Sequence, residues 1–294
     1  MELRQLRYFI TIANTKNYST AAKSLFVTQP TLSWNIQKLE EELNTQLFLQ
    51  TDQGLKLTKP GELLYDEGQN IITSMDNVVD QIKQMNKQGN KMLKVGITVL
   101  FAIQYMEQII KFTSVHPNVE LTFIQRGSVD LQRKLAHKEI DIGLVSFPIY
   151  EPNIIIESLN TSHPDYSVDV VLPFDHPLAK NKSIKISDLK EHPICAFSTN
   201  YVLGKVIRER CQENGFEPNI IFTNDNWEVL LHNTLLTNGM TLMPRAFKRL
   251  SNFINLKWIP FDDKANDFQI GIARRKNEHL SDSAVQFINY MKQN

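Results

Sequence analysis

The 294-residue chain reads as an α/β protein with a helical head: a winged helix-turn-helix, one long linker helix, and a body in which strands and helices alternate. Three observations predict this. Apolar residues recur at spacings of three and four through the first 48 residues. A second stripe of alternating four and three spacing runs from residue 60 to about residue 88. From residue 92 onward, short β-rich runs alternate with helical patterns over about two hundred residues.

Composition narrows the class. Hydrophobic residues make up 42% and charged residues 22%, which excludes disorder as the main state. No run approaches the roughly 18 apolar residues of a membrane helix. The opening Met1-Glu2-Leu3-Arg4-Gln5-Leu6-Arg7 lacks the apolar core of a secretion signal, so a cytosolic protein without a membrane partner is expected. Basic and acidic residues balance at 32 each, which argues against a chain coated in phosphate contacts. It allows a small DNA-reading module diluted by a larger body. Cys195 and Cys211 lie in an apolar run and a helical pattern and read as reduced core residues.

Taken in order, Leu3, Leu6, Phe9, Ile10 and Ala13 form the apolar stripe of a first short helix. Asn14 to Tyr18 interrupts it, and Ser19 is placed to cap a second helix through Leu25. Thr28 or Gln29 opens a third, running to Glu41, with Pro30 early where its missing N–H is harmless and Leu32, Ile36, Leu39 and Leu43 as the buried face. Leu49 to Thr58, with Gln53-Gly54 and the alternating Leu55-Lys56-Leu57-Thr58, predicts a wing. The long helix follows, with Leu64, Ile71, Met75, Val78, Ile82 and Met85 in its stripe and Gly68 filling one slot. At 1.5 Å per residue it spans about 40 Å, and a seam of that length calls for a second copy of itself. Gly89-Asn90 ends it.

The body predicts strands at Met92–Thr98, Val119–Gln125, Ile140–Ser146, Tyr166–Leu172, Ile194–Phe197, Asn219–Thr223, Gly239–Met243 and Phe268–Arg274. Helices are predicted at Ala102–Val115, Val129–His137, Tyr201–Asn214, Asn226–Thr237 and Ser281–Met291. This alternation suggests parallel strands.

The second and third helices carry the sharpest functional signal. Ala21-Ala22 is small enough for another helix to cross closely, as a helix-turn-helix requires if its second helix is to project into the major groove. That second helix begins with Thr28, Gln29, Thr31, Ser33, Trp34, Gln37 and Lys38 on its polar face. Glutamine reads adenine bidentately, hydroxyls take bases or phosphates, and Lys38 suits a phosphate. Residues 1–60 carry seven Lys and Arg against five Asp and Glu, a net of 7 − 5 = +2, a thin footprint for a duplex binder.

With these residues in view, the chain resembles the LysR-type transcriptional regulators from end to end. The resemblance rests on Leu6-Arg7-Tyr8-Phe9, Ser19-Thr20-Ala21-Ala22-Lys23-Ser24-Leu25, Val27-Thr28-Gln29-Pro30-Thr31-Leu32-Ser33, Ile36-Gln37-Lys38-Leu39-Glu40, Leu43, Leu47-Phe48 and Leu57-Thr58 with Gly61. More loosely it includes Leu93-Lys94-Val95-Gly96-Ile97, Phe112 with His116-Pro117, Leu135 with Asp141-Ile142-Gly143-Leu144, His176-Pro177-Leu178 and Gly239-Met240-Thr241-Leu242-Met243-Pro244. It implies a winged helix-turn-helix over residues 1–59, a dimerising linker helix over 60–89, and a periplasmic-binding-protein-like effector domain over 90–294. Implied partners are double-stranded promoter DNA, a small-molecule effector, a homodimer that pairs into a tetramer, and RNA polymerase. The DNA contacts carried over are Ser19, Thr20, Thr28, Gln29, Pro30, Thr31, Ser33, Trp34, Gln37, Lys38, Gln50, Gln53 and Lys56. Two positions depart from the family: Trp34 stands where a basic residue is common, and Leu49-Gln50-Thr51-Asp52-Gln53-Gly54 where the wing usually carries arginines.

The effector domain is expected as two lobes, 90–163 with 266–294 and 164–265. Ligands in such folds lie beyond the carboxyl ends of strands, near helix N-termini. That selects Thr98, Val99, Leu100, Arg126, Ser128, Ser146, Phe147, Ser198, Thr199, Asn200 and Asn226, with Phe197 and Tyr201 as further apolar walls. Hydroxyls beside helix starts point to a small organic anion. Catalysis has little support: His116, His163, His176 and His192 each precede proline, and no zinc spacing or glycine-rich phosphate loop occurs. No cofactor, metal or enzymatic activity is expected. The competing readings are a solute-binding module with a protein-interaction head, and an enzyme dimerised by its N-terminal domain.

Overall fold

The computed structural model describes residues 1–51, 54–85, 91–159, 167–264 and 269–293. The chain divides into two compact units, Met1–Lys87 and Gln88–Asn294.

In the first unit, helix α1 (Leu3–Thr15) buries Leu6, Phe9 and Ile12. Leu3, expected in that stripe, is 42% exposed, and Ile12 takes the inner position. Helix α2 (Tyr18–Ser24) is capped by Asn17, whose side chain accepts the Thr20 N–H at 2.9 Å. Ser19 therefore lies inside the first turn and is not the cap. Ala21 and Ala22 are buried, so α2 and helix α3 (Gln29–Leu43) cross closely. Thr28 caps α3, accepting the Thr31 N–H at 3.3 Å. The inner face of α3 is Leu32, Asn35, Ile36 and Leu39; Leu43, expected there, is 40% exposed. Buried Asn35 meets its hydrogen-bonding need by donating to the Thr31 carbonyl at 2.9 Å.

The wing is an antiparallel pair, β1 (Phe48–Thr51) and β2 (Gly54–Leu57), in register from Phe48↔Leu57 to Thr51↔Gly54. Helix α4 (Lys59–Met85) follows. Its first half packs on the head: Leu64, Tyr65 and Ile72 join the cluster of Leu6, Phe9, Leu32 and Leu39. A Cβ on Gly68 would sit 2.6 Å from a Leu6 methyl, so glycine here permits close approach of α1.

In the second unit the elements run β3 (Lys91–Ile97), α5 (Val99–Val115), β4 (Val119–Gln125), α6 (Ser128–Ala136), β5 (Ile142–Ser146) and β6 (Ile154–Ser158). Then come β7 (Val168–Pro173), β8 (Ile184–Lys185), β9 (Ile194–Ala196), α7 (Val202–Glu213), β10 (Ile220–Thr223), α8 (Trp227–Thr237), β11 (Thr241–Pro244) and β12 (Leu256–Asp262). Strand β13 (Ile270–Arg275) and helix α9 (Asp282–Gln293) close the chain. One sheet has the order β4-β3-β5-β13-β6, with β13 drawn from the far end of the chain; a second has the order β11-β7-β12-β8, beside the pair β10-β9.

The sheets are mixed, which corrects the parallel expectation. Strands β3, β4 and β5 run parallel, but β13 is antiparallel to both β5 and β6, and β7 is antiparallel to β11 and β12. The expected crossings near residues 164 and 266 lie outside the described residues, as do Gly89-Asn90 and the first residues of the strands predicted from Tyr166 and Phe268. Separate apolar clusters fill the two lobes, one around Val95, Phe112, Ile272 and Phe287, the other around Val170, Ile194, Leu230 and Phe261. Cys195 and Cys211 are free and buried in the second lobe, as expected.

Candidate functional site

The polar face at the start of α3 is presented to solvent: Thr28, Gln29, Pro30, Thr31, Ser33, Trp34, Gln37 and Lys38 are all exposed, as are Ser19 and Thr20 of α2. The Ser19 hydroxyl donates to Gln29 Oε1 at 2.7 Å, which orients the amide while leaving that oxygen a second lone pair for a base. Trp34 is 58% exposed, a large indole with no protein to cover it in this unit. Lys38 Nζ lies 2.6 Å from Glu41 Oε2, and Gln37 donates to the same carboxylate at 3.1 Å. The Lys38 ammonium holds the Glu41 carboxyl below its ordinary range. An exposed pair of this kind exchanges readily for a phosphate.

The acidic run beyond α3's reading face is engaged internally. Glu40 Oε1 accepts the N–H of Leu47 at 2.7 Å and of Phe48 at 3.3 Å, tying the helix to the wing, and Glu42 pairs with the N-terminal ammonium. On the wing, Gln50 and Lys56 are exposed; Gln53 lies outside the described residues.

The expected seam of α4 divides. Leu64 is half-buried against the head, whereas Ile71, Met75, Val78 and Ile82 are 40–55% exposed and form one outward stripe. Exposed Val79 and Leu63 extend it, and the side chain of Met85 lies outside the described residues.

In the second unit, residues from both lobes converge on one narrow pocket with interior space of about 30 Å³. Thr98, Val99 and Leu100 come from the start of α5, Ser128 from α6 and Ser146 from the end of β5. The opposite wall is Phe197, Tyr201, Val202 and Leu203 at the start of α7, with Pro244 and Phe247 after β11. Thr98 caps α5, accepting the Phe101 N–H at 3.4 Å, so the first-turn N–H groups of Val99 and Leu100 lack an intrahelical acceptor. Ser128 Oγ accepts the Ser146 N–H at 2.9 Å, and buried Gln132 bridges the Pro148 carbonyl (2.9 Å) and the Tyr150 N–H (2.7 Å). The first of these bonds ties together two lining residues. Phe197 and Tyr201 stack with ring centroids 4.9 Å apart. Burial raises the Tyr201 phenol and Asp225 raises it further, while Arg126 pulls it down.

The pocket is pinched at one end. The Asn200 carbonyl accepts the N–H groups of Val129 (3.0 Å) and Asp130 (3.4 Å), so it caps the α6 N-terminus from across the lobes. Of the other expected residues, Arg126 stays outside the lining and donates to the Gln125 carbonyl. Ser198 and Thr199 do not line the pocket, and Asn226 is occupied in capping α8. Phe147 lines a wider recess of about 420 Å³ farther along α7, which shares Val202 and Leu203 with the narrow pocket and where Arg210 is held by Asp263 at 2.8 Å. The narrower pocket brings together the starts of α5, α6 and α7 and the hydroxyls of Thr98, Ser128 and Ser146. The lining also includes Val202, Leu203, Pro244 and Phe247, which the sequence did not single out. Val202 and Leu203 stand at the start of the predicted helix Tyr201–Asn214 and Pro244 at the carboxyl end of a strand, so each had a signal; Phe247 had none.

Two family models cover the chain: "Bacterial regulatory helix-turn-helix protein, lysR family" matches residues 3–62, and "LysR substrate binding domain" matches residues 86–294. The chain belongs to the LysR family. It is a LysR-type transcriptional regulator with a DNA-binding helix-turn-helix and an effector-binding domain. Among LysR-type relatives, the regulator YwbI of Bacillus subtilis (strain 168) is 29% identical over 99% of this chain and 96% of its own. AlsR of the same organism is 27% identical over 95% and 92%. The crystal structure of CbnR, a LysR family transcriptional regulator, superposes with a TM-score of 0.64 at 18% identity, covering 100% of this chain and 99% of that one. Full-length BenM gives 0.57 at 25% identity, covering 100% and 96%. As a LysR-type regulator, the chain works through DNA and a small-molecule effector. Among the described residues, no helix is long and apolar enough to cross a membrane.

Proposed function

We propose that the start of α3, from Thr28 to Lys38, reads operator bases from the major groove while Gln50, Gln53 and Lys56 of the wing flank it. The supporting observation is the ordered, exposed polar face built on a buried Ala21-Ala22 crossing. The stripe of Ile71, Met75, Val78 and Ile82 joins two copies, and two such dimers make a tetramer on DNA. Residues 1–59, 60–89 and 90–294 are the reading head, the linker helix and the effector domain, with lobes 90–163 plus 266–294 and 164–265. Working on promoter DNA places the protein in the cytoplasm, beside RNA polymerase, with a regulatory and not an enzymatic role.

The effector is a small metabolite with an acidic group. Its polar end meets the Thr98 and Ser128 hydroxyls and the α5 N-terminus, and its apolar body meets Phe197, Tyr201 and Phe247. Fluorescence anisotropy against duplex from the gene's own upstream region, over a salt series, tests the first half. Preference over scrambled duplex is expected, with a shallow salt slope because the head carries a net of only +2. Absence of any preference on this duplex and on fragments recovered by genome-wide pull-down would refute it. A thermal-shift screen of small carboxylic acids tests the second half. A stabilising acid should lose its effect in Thr98→Ala and retain most of it in Thr98→Ser, which keeps the cap.

A further inference from the structure

The turn between α2 and α3 holds a residue whose placement the fold does not explain. After α2 the chain forms a Schellman stop: the Val27 N–H bonds the Ala22 carbonyl at 3.0 Å, and Phe26 occupies the left-handed position with φ 55°. That position normally belongs to glycine, because a side chain there crowds the backbone. Phenylalanine also loses its usual compensation, since its ring is 96% exposed and leaves the buried cluster of the head untouched. Both the backbone and the solvation of this residue are unfavourable in the free protein, and glycine would relieve both. The ring stands two residues before Thr28, the cap of the helix that enters the groove.

We propose that Phe26 is a DNA-contact residue, whose ring covers an apolar part of the duplex beside the recognition helix, a deoxyribose face or a thymine methyl. This rests on the assignment of α3 as the recognition helix and extends that surface backward into the turn. With Trp34 at 58% exposure on α3, it gives the head two uncovered aromatic rings. An interface that draws on apolar contact needs fewer phosphate neutralisations, which fits the head's small net charge.

The test uses the full-length protein, an operator duplex, and the variants Phe26→Gly, Phe26→Ala and Gln29→Ala. Phe26→Gly should hold or raise the melting temperature while weakening operator binding roughly fivefold to tenfold, the loss expected for uncovering part of one ring. Its salt slope should match the wild type, because no phosphate contact is removed. An effect that disappears on duplexes with uracil in place of thymine assigns the ring to a thymine methyl; a uniform effect assigns it to deoxyribose. Weakened binding in Gln29→Ala with unchanged binding in Phe26→Gly and Phe26→Ala would overturn the Phe26 assignment and leave the recognition helix standing. Unchanged binding in all three variants would overturn both. A drop in oligomeric mass with DNA affinity intact would show the ring meets protein, and would equally overturn it.

Discussion

Gly127 offers a direct way to disturb the pinch between the lobes. A Cβ placed there would lie 2.2 Å from the Asn200 carbonyl oxygen and 2.7 Å from the Tyr201 ring. Ordinary contact begins near 3.4 Å, so in Gly127→Ala the oxygen must retreat by about 3.4 − 2.2 = 1.2 Å. Its hydrogen bonds to the Val129 and Asp130 N–H groups, 3.0 and 3.4 Å, do not survive that displacement. Two such bonds are worth about 1–3 kcal/mol net, or roughly 5- to 150-fold in the local opening equilibrium of these amides. The backbone itself is not at issue: φ −68° and ψ 152° suit alanine, so the substitution acts through the collision alone. Hydrogen exchange provides the assay. The Val129 and Asp130 amides should lose protection by about that factor, while amides of β3 and β5 keep theirs. Undiminished protection at both residues would show that the Asn200 carbonyl is not what closes this end of the pocket.

Gln29→Ala should weaken operator binding by about 1–3 kcal/mol and relax specificity at one base position, with self-association unchanged in sedimentation. Glu40→Ala removes the carboxylate that holds the Leu47 and Phe48 N–H groups, and should destabilise the head by about 1.5–3 kcal/mol in denaturant titration. Lys292 and Arg274, the latter at 2.7 Å, hold the Glu157 carboxyl below its ordinary value. Because the folded value is the lower one, this stabilisation is complete above the ordinary carboxylate range and fades as pH falls through the lowered folded value. Glu157→Gln should therefore flatten the acid limb of the effector domain's stability profile; an unaltered limb would show that the pairing is spent on solvent.

Much of the reading head was legible because its signals are local. The small pair Ala21-Ala22, the Thr28-Gln29-Pro30 start and Gly54 of the wing each dictate geometry within a few residues. The cap of α2 shows where local evidence stops. Asn17 and Ser19 are both good caps, and what separates them is a contact ten residues away, the Ser19 hydroxyl on Gln29. Strands β6 and β12 escaped detection for different reasons. Ile154-Ile155-Ile156 has no period of two to read, and Pro260 argues against a strand even though it pairs with Asp169. The antiparallel course of β13 reflects the chain's return to a sheet begun almost two hundred residues earlier, which no short window reports. At the pocket, strand-end residues such as Thr98 and Ser146 followed from a general rule of α/β sheets. Phe247 enters it only because two lobes meet face to face, and Ser198 is left out for the same reason.

The split face of α4 bears on the operator as well as on the protein. Its near half is locked into the head by Leu64, Gly68 and Ile72, and Arg7 grips Asp76 at 2.6 Å. Another face of the same helix offers the apolar stripe from Ile71 to Ile82. Between the two there is no proline and no break in the helix. Under the proposed pairing of two copies along this stripe, the helix would act as a caliper: the grip at one end would fix how far apart the jaws stand at the other. The distance between half-sites is then set by residues that never touch DNA. A one-residue insertion between Ile72 and Met75 would turn one half against the other by about 100°. Such a variant should keep each head's base preference and lose the ability to place both heads on one operator.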